Sequence, residues 1–139
     1  MAEKNPEAAW ISLILRVAMA SLFLGAVVPK WMGPLGGTAA SFGSLFKDTW
    51  LPLSLVRLHG QMVPWIETLL TVWLLVGFRL QLAWLVAGLF LVSLAFGMVV
   101  VKQYETAAHN FMYVLMACVG LYVSPFDRFR VGGKSRGSR

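Results

Sequence analysis

Residues 58–78 read LHGQMVPWIETLLTVWLLVGF, an apolar run with one acid, Glu67, inside it. A run of this length is enough to cross a hydrocarbon core of about 30 Å as a helix. An ionisable side chain at membrane depth is costly, so it marks a functional position by default. At helical spacing Gly60, Pro64 and Thr71 share the face of Glu67. That stripe of small and polar residues belongs against protein, not lipid.

The remainder of the chain has the same character. Of its 139 residues 58% are hydrophobic and 13% charged, which excludes an ordinary soluble domain. Six Trp and nine Phe suit a protein with two membrane interfaces. The net charge of +6 comes from residues dispersed over membrane-flanking segments and gathered at one tail, so it reads as an orientation signal and not as a nucleic-acid surface. A single cysteine, Cys118, allows no internal disulfide or CxxC pair. Ala18-Met19-Ala20 imitates a signal-peptide cleavage site, but Arg16 interrupts the apolar region and the run continues past it, so no cleavage is expected.

Upstream, Asn5-Pro6-Glu7 opens a helix with a cap, a first-turn proline and an acid. A first span is predicted over 8–28, with Ser12, Arg16, Ala20, Phe23 and Lys30 on one face. Arg16 is expected to point inward or to snorkel toward the cytoplasmic side. Pro29-Lys30-Trp31 is read as the end of that helix and Gly33, Pro34, Gly36 and Gly37 as a turn-rich connection. Phe42, Leu45, Phe46, Thr49, Trp50 and Leu53 then recur at helical spacing, which fits a short amphipathic helix in the first outer loop, a lid over the bundle, or plain loop packing.

Downstream, 82–101 carries no charge and is the plainest span, with Ala83 and Ala87, and Ser93 and Gly97, as close-packing pairs. The last span, 107–123, presents Asn110, Tyr113, Ala117, Gly120 and Ser124 on one stripe. The expected fold is an all-α integral membrane protein: one four-transmembrane-helix bundle over 1–127, spans near 8–28, 58–78, 82–101 and 107–123, and a basic tail over 128–139. Four spans put both termini on one side. That side holds Lys4, Arg79, Arg128, Arg130, Lys134, Arg136 and Arg139, against Lys30, Lys47, Arg57 and Lys102 on the other, so both termini are expected in the cytoplasm.

This orientation gathers Lys30, Arg57, His59, Glu67, His109 and Asn110 in the outer half. A buried carboxylate must find a cation or take a proton. Lys30 is the partner best placed by depth, then Arg57, then Arg16. Two readings stand open. The pair pins helices together, or it belongs to a small-molecule site in which Lys30, Arg57 or His109 donates to carbonyl oxygens and Glu67 or His109 relays protons. A quinone is the natural ligand of such a site, with Trp31, Trp65 and Tyr113 as walls. His59 and His109 also allow a bis-imidazole haem or a metal site with Glu67, but they show no metal-ligand spacing, and no metal is expected.

The motifs LILRVAMASLFLGAVVPK, Pro64-Trp65-Ile66-Glu67 with the Leu/Val-rich run to Gly77, the short turn that follows, and HNFMYVLMACVGLYVSPFD resemble the DoxX/DoxD-like membrane proteins over nearly the whole chain. The resemblance implies a four-helix bundle. Some members serve as the membrane subunit of thiosulfate:quinone oxidoreductase, and others associate with thiol or oxidative-stress enzymes. By position, the family's helix-one arginine corresponds to Arg16, its helix-end lysine to Lys30, its helix-two acid to Glu67 and its helix-four polar residue to Asn110. The expectation is a redox-associated subunit in the cytoplasmic membrane of a bacterium or archaeon. It would bind a quinone, with Glu67 and His109 as catalytic residues and Arg16, Lys30, Arg57, Asn110 and Tyr113 as ligand-binding ones. Lacking a redox centre of its own, it would need a protein partner or larger complex. The alternative is a non-catalytic accessory subunit.

Overall fold

The computed structural model describes residues 5–129. Over these the chain is helical: α1 (Pro6–Met32), α2 (Gly37–Leu45), α3 (Leu53–Val76), α4 (Leu80–Val100) and α5 (Tyr104–Val123), closed by a 3-10 turn at Ser124–Phe126. The tail from residue 130 onward lies outside the described residues.

Local chemistry explains the ends. Asn5 Oδ1 accepts the Ala8 N–H at 3.3 Å, with Pro6 and Glu7 in the first turn of α1. There a missing N–H costs nothing and an acid meets the positive end of the dipole. α3 stops on Gly77, whose φ of 79° is left-handed and whose N–H closes onto the Trp73 carbonyl.

Two boundaries differ from the sequence reading. α1 does not end at Pro29 but runs on to Met32. Proline forfeits one hydrogen bond, to the carbonyl four residues back, and that residue is Gly25, around which there is open space. The extra turn carries Lys30 and Trp31 on a helical frame. In the connection, the helix lies over Gly37–Leu45 and not along the whole 42–53 periodicity. Thr49 ends that pattern by bonding the Phe46 carbonyl through both its N–H and its Oγ1, which fixes a turn.

α1 packs chiefly on α3 and α4 on α5, and contacts between α1 and α5 and between α3 and α4 close the bundle. α3 and α5 therefore stand diagonally. Met19, Phe23, Leu70, Leu74, Trp84 and Phe90 meet in the core. α2 lies on α3 with the backbones nearly touching, since a Cβ on Gly60 would fall 2.9 Å from Ala39 Cα.

α1, α4 and α5 with its closing turn are each long and apolar enough to cross a membrane. α3, the span expected over 58–78, is 24 residues long but includes Arg57, His59, Gln61 and Glu67, and it does not stand with these three as long and apolar enough. The outward faces carry Ile14, Leu24, Leu69, Leu85, Leu89 and Leu115, all exposed. So extensive an apolar exterior suits lipid and not water.

The tightest contact is between α4 and α5. A Cβ on Gly120 would sit 2.4 Å from the Trp84 ring, which is 1% exposed and has nowhere to move. Gly120→Ala is expected to destabilise by about 1–3 kcal/mol. Gly25→Ala, in open space within a helix, is expected to be neutral or mildly stabilising. Thermal midpoints of the two purified variants check the contrast.

Candidate functional site

Among the described residues two ion pairs tie the bundle together, one at each end. At the end formed by the C-terminus of α1, Lys30 Nζ lies 2.7 Å from Glu67 Oε1 and 2.6 Å from Oε2. The Glu67 side chain is 3% exposed and that of Lys30 26%. The carboxylate is thus buried behind its cation, and the cation reaches the surface. An ammonium carries three N–H donors. Glu67 takes two, and the third has no partner among the described residues. Lys30 is also in the last turn of α1, where a cation meets the negative end of the helix dipole.

A cavity of about 290 Å³ opens beside Lys30, with Trp31, Pro34, Gly60, Pro64 and Trp65 in its wall. The two indoles meet edge to face, centroids 4.8 Å apart. Trp31 Nε1 donates to Thr68 Oγ1 at 2.8 Å, and that hydroxyl donates to the Pro64 carbonyl. Pro64 has no N–H, so the carbonyl of Gly60, one turn earlier, lacks its usual helical donor. The site therefore combines a fixed cationic donor, aromatic walls and a glycine-lined floor.

At the other end Arg16 is 2% exposed. Its Nε donates to the Leu74 carbonyl at 2.7 Å and Nη2 to that of Leu75 at 2.8 Å. These are last-turn carbonyls of α3 that have no helical partner. Nη1 reaches Asp127 Oδ1 at 3.1 Å and Oδ2 at 3.2 Å. Ser12 Oγ and the Phe129 N–H complete the carboxylate's set at 2.7 and 2.8 Å. Each of the three guanidinium nitrogens and both carboxylate oxygens has a partner, and the arrangement locks the segment after α5 onto α1 and α3. It also brings the start of α1 and the segment after α5 to the same end of the bundle.

Of the three cations considered for Glu67, the structure selects Lys30. Arg16 is spent on Asp127. Arg57 is exposed and lies against Gly43 of α2, in the wall of a separate cavity with Lys47 and Gln61. His109 is exposed and Asn110 half-buried near the start of α5, diagonal to α3, and neither is hydrogen-bonded to Lys30 or Glu67 among the described residues. Tyr113 packs against the hydrophobic core and takes no part in the Lys30 cavity. His59 bonds Ser93, not a second histidine. No group of three His, Cys, Asp or Glu stands together among the described residues.

Sequence reasoning missed Asp127. It lies beyond the last span, in SPFD, and its partner is 111 positions away. The available signal was an acid just past the last helix, at the bundle end toward which Arg16 was expected to snorkel.

Comparison of the chain with protein-family models, with curated proteins and with solved structures finds no match.

Proposed function

We propose that the chain is a DoxX-like subunit in which α1, α3, α4 and α5 all span the membrane with both termini cytoplasmic, and that the Lys30 cavity binds a carbonyl of the quinone class. The observation that carries this reading is the third N–H of Lys30, left over by Glu67 at the mouth of a cavity walled by Trp31 and Trp65. A quinone offers acceptors without donors, a flat ring for the indoles and solubility in the bilayer. Glu67 then orients the ammonium. It is a positioning residue whose two oxygens are already occupied, and electrons come from a protein partner.

Because Glu67 offers no free base, the accessory-subunit reading keeps one supporting observation. Purification in mild detergent, with extraction and mass spectrometry, separates the two. The catalytic reading expects stoichiometric quinone, lost from Lys30→Met while the protein remains folded. Wild-type protein recovered within a larger complex and free of quinone would favour the accessory role.

A further inference from the structure

A third cavity, of about 190 Å³, lies between α2, α3 and α4. Its wall is apolar, with Phe42, Phe46, Leu55 and Phe96, except for His59 and Ser93. The imidazole lies near-parallel to two rings, Phe42 with centroids 6.2 Å apart and Phe90 at 6.4 Å. Its Nε2 lies 3.2 Å from Ser93 Oγ. The Ser93 hydroxyl donates to the Phe90 carbonyl at 2.6 Å.

A hydroxyl has one proton to give, so Ser93 Oγ accepts and Nε2 of the neutral ring is the donor. Nδ1 is left as the lone-pair nitrogen, without a hydrogen-bond partner among the described residues. Nor is it sealed off: the fully buried unpartnered side-chain nitrogen among those residues is Trp84 Nε1. The ring that carries this acceptor is part of an otherwise apolar wall, a combination that selects a ligand with one donor.

We propose that this cavity binds a phenolic hydroxyl, a single apolar aromatic ring whose O–H donates to His59 Nδ1. An apolar cavity of about 150 Å³ admits benzene, so this one accommodates one substituted ring. Phe42, Phe46 and Phe96 in the wall supply edges and faces for it. Leu55 and Phe96, exposed on the apolar exterior, give access from lipid. The chemistry is the converse of that at Lys30, where a donor awaits an acceptor. The inference stands on the His59 cavity alone.

The test uses the full chain, labelled with 15N-histidine and reconstituted in lipid nanodiscs. The chain has two histidines, and exposed His109 serves as the reference. Thymol is expected to move the His59 Nδ1 resonance saturably and leave His109 in place. Thymol methyl ether, which lacks the donor, is expected to bind about ten-fold more weakly. Equal binding of the ether, a shift of His109 instead, or no shift at either histidine would overturn the proposal. Menthol, the saturated counterpart, tests the ring: affinity equal to that of thymol would refute the aromatic assignment.

Discussion

Arg16→Leu is expected to destabilise the protein by about 3–5 kcal/mol, because it leaves Asp127 a buried carboxylate without its cation. Asp127 is 4% exposed and would retain only the Ser12 hydroxyl and the Phe129 N–H. The Leu74 and Leu75 carbonyls would lose their donors as well. For a chain of this size the thermal midpoint should fall by on the order of 10 °C. Asp127→Asn should cost less, since an amide oxygen in the place of Oδ1 still accepts from the Phe129 N–H and from Arg16, and the Ser12 hydroxyl turns to accept from the amide N–H that replaces Oδ2. Removing both charges, as Arg16→Leu with Asp127→Leu, should recover part of the loss. Thermal unfolding of the three variants in one detergent measures these differences. Equal midpoints for wild type and Arg16→Leu would mean that the pair contributes nothing to the fold.

The second large effect concerns Lys30. Lys30→Met is expected to cost about 3 kcal/mol, the lower end of the range for breaking a buried pair, since the lysine is 26% exposed. The double variant Lys30→Met with Glu67→Leu should regain most of that stability, because apolar replacement of a buried pair is often neutral or favourable. Ligand binding should be lost in both. Stability and binding thus part company in the double variant, and a role confined to pinning α1 on α3 would not separate them. Thermal midpoints and quinone content measured on the same preparations provide the comparison.

The difference between these two pairs shows what the sequence discloses. Glu67 was legible because an acid in an apolar run must be compensated, and depth alone ranked Lys30 first. Asp127 was not, because an acid past the last span looks solvated until the chain folds back along Ser12 and Arg16. Helix periodicity located α4 and α5 because their polar flanks, Arg79 and Lys102-Gln103, interrupt long apolar runs. It misplaced α2, because Phe42 and Phe46 keep helical spacing even though a turn follows Leu45, and both pack inward toward His59. Proline at 29 suggested a stop, whereas α1 continues past it for one more turn and closes with the Gly33 N–H on the Pro29 carbonyl. The role of His59 could not be read from its neighbours in sequence. It depends on Ser93, 34 positions away, whose own hydroxyl is committed to its helix.

The most direct test of the Lys30 site is the infrared carbonyl stretch of a short-chain quinone bound to the reconstituted protein. A carbonyl accepting the free N–H of Lys30 should absorb at lower frequency than the same quinone dissolved in the bilayer, and the shift should vanish in Lys30→Met with Glu67→Leu. A bound quinone whose carbonyl frequency is the same in wild type and in that double variant would contradict the account.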